Sequence, residues 1–179
     1  IDVGFLVKAA PVVGSTPRVA VNSVTQFGLT TLLKCPDGSD NVTGERLNDR
    51  PPLLLDAVVA APNGASAPVV VIVNHSRSLG SATSTAAQPV GTCPVVNFDT
   101  EGDRVRRKRQ QQAEFLADLV QARQVANPNE NLVVVGDFNA EPSSPVHARA
   151  SRFHRARGDC RGYRPAGDPV RDASLLPRV

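Results

Sequence analysis

Two short polar stretches hold the residue types that could do chemistry. One is Asn74-His75-Ser76-Arg77-Ser78, the other Gly136-Asp137-Phe138-Asn139-Ala140. Between them they offer an imidazole, a carboxylate and a carboxamide. A carboxylate orients or deprotonates water, and an imidazolium donates to a phosphate oxygen or a leaving group, which together are worth roughly 10²–10⁴ in rate. An amide holds the phosphate or the carboxylate in register. A hard divalent cation prefers oxygen ligands such as Asp137, and it would supply the remaining stabilisation for phosphodiester cleavage. Asn74 and Arg77 flank the imidazole and are the candidate substrate contacts. Taken singly, each residue also has a structural reading: Gly, Asp and Asn favour turns, and a lone histidine is commonly a hydrogen-bonded part of a core. The joint occurrence carries the functional reading. His147 and His154 have no such context and are assigned no role.

Each stretch ends an apolar run, and this is what would bring them together. Pro68 to Asn74 and Asn131 to Val135 read as strands, the second as one buried on both faces. Ligands of open α/β sheets bind beyond the carboxyl ends of strands, so two strands of one sheet could deliver both tips to one rim. Leu53 to Ala60 and Arg18 to Phe27 read as further strands, and Asp2 to Lys8 as a short one. Pro62-Asn63-Gly64 between two strand runs predicts an antiparallel hairpin. Asp103 to about Ala126 predicts a helix with Val105, Gln112, Leu116, Leu119 and Val120 on one side and Phe115 beside them. Its first turns carry Arg104, Arg106, Arg107, Lys108 and Arg109. Cations there oppose the helix dipole. They form either a solvated face or a phosphate-facing patch. Cys35 to Pro52 and Leu79 to Asp99 are long irregular stretches, of the kind that is usually functional or mobile.

The bulk properties leave room for this chemistry. The chain has 179 residues, enough for one domain with a sizeable core. Aromatic residues make up 4%, so Val, Leu and Ala must fill that core. A net charge of +3 suits a polyanionic partner without requiring one. No apolar run is long enough to span a membrane. Cys35 and Cys93 both sit in loops before a proline, which predicts a disulfide and an oxidising compartment, secreted or periplasmic. Asn41-Val42-Thr43 matches a glycosylation acceptor, a pattern common by chance.

Val69 to Ser78 together with Gly136 to Ala140 resembles the endonuclease/exonuclease/phosphatase superfamily, most nearly its secreted bacterial nucleases. Val3 to Val7 and Arg50-Pro51-Pro52-Leu53 are similar to strand openings in those proteins. Arg106 to Ala122 is similar to the helix before the aspartate strand. The resemblance implies an α/β fold, a four-layer sandwich of two packed mixed sheets flanked by helices. It implies hydrolysis of phosphodiesters or phosphomonoesters with Mg²⁺ (or Mn²⁺ or Ca²⁺), with nucleic acid, DNA above RNA, as substrate. On matching positions Asp137 would activate water or hold metal, Asn139 would position the phosphate, and His75 would meet the scissile phosphate or leaving group. The family's early metal-binding Glu and late Ser-Asp-His triplet have no counterpart here. The expectation is therefore an incomplete domain over residues 1–140 followed by an Arg-rich irregular tail, 141–179, with the fragment's own catalysis in question. Two other functions compete: a non-catalytic remnant that binds polyanions, and a phosphatase or sphingomyelinase-like phosphoesterase, which no evident membrane-docking stripe favours.

Overall fold

The computed structural model describes residues 3–139. The Arg-rich stretch 141–179, with His147, His154 and Cys160, lies outside the described residues. The architecture is α/β. It consists of strands β1 (Pro11–Val13), β2 (Thr16–Pro17), β3 (Val19–Gln26), β4 (Leu53–Ala60) and β5 (Ser66–His75), helix α1 (Glu101–Ala126) and strand β6 (Leu132–Asp137). β1 and β2 pair as a small antiparallel ribbon, and the other four form one mixed sheet in the order β3-β4-β5-β6.

β4 and β5 are the predicted hairpin, paired antiparallel from Leu53–Val73 to Ala60–Ser66. β5 and β6 run parallel, from Val70–Leu132 to His75–Asp137. A parallel pair needs a long crossover, and α1 lies within it. Alternation along each strand decides what the helix covers. Leu54, Val70, Ile72, Leu132 and Val134 face α1 and pack with Leu116 and Val120. A second cluster of Leu33, Cys35, Leu47, Cys93 and Phe98, joined by Phe115, fills the space under the long loops. The predicted Cys35–Cys93 disulfide is formed, with Cα atoms 5.9 Å apart across a separation of 58 residues. A loop of that size contributes about 4 kcal/mol in the chain-entropy view.

Three expectations need correction. Residues 3–8 form no strand; Leu6 is fully exposed, and the first pairing begins only at Pro11. β6 is not buried on both faces. Among the described residues it is an edge strand, and its Val133 and Val135 stay well exposed on the face opposite α1, whereas Leu55 and Ala57 on the inner strand β4 are buried on that same face. The basic run of α1 is neither simply a solvated face nor a phosphate patch. Arg106 is exposed and donates to Ala82 O, and Arg107 is half-buried and donates to Pro36 O, whereas Lys108, only 2% exposed, donates to Asp49 Oδ1 at 2.7 Å and Glu45 Oε1 at 3.0 Å. Arg104 holds Glu45 and Glu101, and Arg109 is buried. The dipole conflict is relieved by Glu101 and Asp103 in the first turn and by Thr100, whose hydroxyl caps Asp103 N–H at 3.1 Å.

The pairing with Arg104 holds the Glu101 carboxyl below its ordinary value of 4.5, with its hydrogen bond to Arg104 the largest cause. A carboxyl whose folded value is depressed stabilises the fold above its unfolded value and loses that contribution as pH falls through the folded one. Glu101→Gln should therefore cost about 0.5–1 kcal/mol near neutrality, as partly exposed pairs do. The gap from wild type should close as acid titrates Glu101. Urea unfolding of both proteins across the acid range measures it; a gap independent of pH would refute the assignment.

The sequon is committed to the fold. Asn41 is buried, its Nδ2 donating to Leu33 O at 2.8 Å and Glu45 O at 2.9 Å, while its Oδ1 accepts from Glu45 N–H and Thr43 Oγ. It staples the loop that presents Glu45 and Asp49 to α1. A glycan on that nitrogen is incompatible with these bonds.

Candidate active site at the strand ends

The rim forms where β5 and β6 end side by side. His75 and Asp137 are register partners, and their side chains meet with Nε2 3.7 Å from Oδ2. That separation is longer than a hydrogen bond and within ion-pair range. The imidazole is 26% exposed and the carboxylate 61%, so both groups reach solvent.

Gly136 sets this approach. Its φ is +137°, and a Cβ there would lie 1.8 Å from Asn74 O. Only a residue without a side chain lets β6 run this close to β5 at the tip. Beyond it the chain turns: Asp137 Oδ1 accepts Asn139 N–H at 2.9 Å, and Asn139 takes a φ of +47°, a conformation asparagine tolerates. Ser76 N–H donates to Asp137 O at 3.0 Å, and Asn139 Nδ2 donates to Ser76 O at 2.9 Å. The two tips are thus cross-linked by backbone and amide bonds.

The other predicted residues sit as follows. Asn74 is buried on the helix side of β5, one position from His75 and therefore on the opposite face, with Nδ2 2.9 Å from Ser76 Oγ. This placement favours holding Ser76 over touching substrate. Asn139 is at the rim, but its Nδ2 already bridges the tips. Arg77 is partly exposed, with Nη1 3.6 Å from Asp49 Oδ2, and its Nε–H is buried without a hydrogen-bond partner. Asp137 is a single carboxylate: among the described residues no group of three or more His, Cys, Asp or Glu is placed to hold a metal ion.

Sequence reasoning missed the support beneath the rim. Arg109 donates from Nη1 to Arg77 O and from Nη2 to Asn139 O, the latter at 2.6 Å. Gln112 accepts Arg77 N–H at 2.9 Å and donates to Leu47 O at 2.8 Å. Asp49 stands between Lys108 and Arg77. The available signal was helical spacing: Lys108, Arg109 and Gln112 fall within the same stripe as Val105, Leu116 and Val120.

What these elements define is an α/β domain with an imidazole–carboxylate pair at the carboxyl ends of two parallel strands. Compared with family models, with curated proteins and with solved structures, the chain finds no match. Its function is therefore read from the rim itself.

Proposed function

We propose that this chain belongs to a metal-dependent phosphodiester hydrolase of the endonuclease/exonuclease/phosphatase type, acting on nucleic acid, DNA above RNA, outside the cytoplasm. The observation that carries the reading is the pairing of His75 with Asp137 across neighbouring strand ends, 3.7 Å apart and open to solvent. In this reading Asp137 draws a proton from, or orients, the attacking water. His75, facing Asp137 across the rim, donates to a phosphate oxygen or to the departing oxygen. Arg77 lies on the same tip and offers a cation for the phosphate. Mg²⁺ commonly takes only one or two protein carboxylates and completes its shell with water and substrate phosphate. Asp137 suits such a site as one ligand, and the bound ion would neutralise charge on the phosphoryl oxygens.

The finer architecture belongs to the same proposal. The sheet face opposite α1 exposes Val21, Val24, Val59, Val133 and Val135. A sheet with one face covered by α1 and valines exposed along the edge strands of the other supports an incomplete four-layer sandwich. The disulfide supports a secreted or periplasmic setting. No helix among the described residues is long and apolar enough to cross a membrane.

Binding of polyanions without turnover is the rival. It is weakened for residues 3–139 because Arg104, Lys108 and Arg109 are engaged inside the protein. The test is incubation of the full-length protein with plasmid DNA and Mg²⁺. Nicking that stops on adding EDTA is the expected result. Salt-sensitive retention of DNA, unchanged by EDTA and with no strand broken, would overturn the hydrolase reading.

A further inference from the structure

Arg109 raises a physical question. The residue is 6% exposed, and among the described residues no carboxylate pairs with it. Burying a cation costs several kcal/mol unless its donors are satisfied. Burial alone pushes this guanidinium below its ordinary range. A hydrophobic residue at this position on the helix stripe would pack without that penalty. The partners present are two carbonyl oxygens, and they belong to different tips: Arg77 follows β5 and Asn139 follows β6. The planar fork reaches both at once, which a lysine ammonium on a flexible stem does not reproduce. Gln112, one turn further along α1, grips Arg77 N–H as well. The segment after β5 is thus held through both its N–H and its carbonyl at one residue, and the segment after β6 through the carbonyl of Asn139.

We infer that Arg109 is the positioning residue of the rim: by bridging the carbonyls of Arg77 and Asn139 from below, it fixes the spacing of His75 and Asp137. Gln112 is its second anchor. The geometric claim stands on the bonds themselves; only its kinetic consequence rests on the phosphodiester-hydrolase reading. A shift of about 1 Å in the relative placement of two reacting groups costs on the order of 10²-fold in rate.

The experiment uses the full-length protein with Arg109→Lys and Arg109→Met, the lysine variant serving if the methionine variant does not fold. Amide hydrogen exchange is followed at Ser76 and Asn139, whose N–H groups bond to Asp137, and at the β4–β5 ladder as control. The expected result is exchange at least about tenfold faster at the two rim amides with the ladder unchanged, the mark of local opening. On bis(p-nitrophenyl) phosphate with Mg²⁺, kcat should fall by about 10²-fold while KM moves little. Guanidinium ion at millimolar level should restore part of kcat to an Arg109→Ala protein. Rim amides that exchange as in wild type, or a ladder that loosens in step with them, would overturn the inference. Wild-type protein that leaves the ester intact, but whose variants open only at the rim, would overturn the hydrolase reading and uphold the clamp.

Discussion

Gly136→Ala should destabilise the domain by about 4 kcal/mol, at the upper end of what single substitutions do. Two effects add. The residue sits at φ +137°, a region that side chains adopt only at a cost of about 1–3 kcal/mol. Its Cβ would also lie 1.8 Å from Asn74 O and 2.9 Å from Asn74 N. These are backbone atoms of the neighbouring strand, so no rotamer change relieves the overlap; β5 and β6 must part. The parting would occur next to His75 and Asp137, and the pair would separate before the rest of the sheet is affected. Gly64→Ala is the control. Its φ is +82°, but nothing lies within 4 Å of its Cβ, so conformational strain alone should cost about 1–2 kcal/mol. Chemical denaturation of the two variants separates overlap from strain. Equal losses at both positions would show that the close approach of the strands does not matter.

The same close approach explains how much of the site could be read without coordinates. Apolar runs ending in Asn74-His75 and Gly136-Asp137 are legible as buried strands with polar tips. A parallel pairing then needs only the correct register to bring residue 75 opposite residue 137, and Val70–Leu132 is that register. The hairpin at Asn63-Gly64 was equally legible, because its turn chemistry is local. What could not be read depends on which surfaces meet. Val133 and Val135 share the composition of a doubly buried strand, yet burial depends on whether another layer lies above them, which periodicity does not report. Lys108 and Arg109 look like surface cations until Glu45, Asp49 and two loop carbonyls arrive from distant parts of the chain. The run at residues 3–8 has strand composition but pairs with no strand among the described residues. Polar residues inside an apolar helical stripe are thus the more informative sign of a site than the number of charges.

On the proposed hydrolase reading, Asp137→Asn should reduce phosphodiester hydrolysis by about 10²–10⁴-fold, the range expected for losing a general base. It should cost less than about 1 kcal/mol of stability, as substitutions at exposed positions do. The amide keeps the oxygen that accepts Asn139 N–H, so the turn after β6 survives while the charge facing His75 is removed. Asp137→Ala removes the turn bond as well and is the less informative change. His75→Gln keeps a polar group at the tip without the titrating ring, and a loss of similar size is expected. If the two groups act as a unit, the double variant should fall no further than the worse single one, as non-additive catalytic residues do. Losses that simply multiply would mean that carboxylate and imidazole serve separate steps, and their 3.7 Å approach would then be a consequence of register rather than of mechanism. Full activity in Asp137→Asn, with an unchanged requirement for Mg²⁺, would remove the carboxylate from the chemistry altogether and leave the rim without its base.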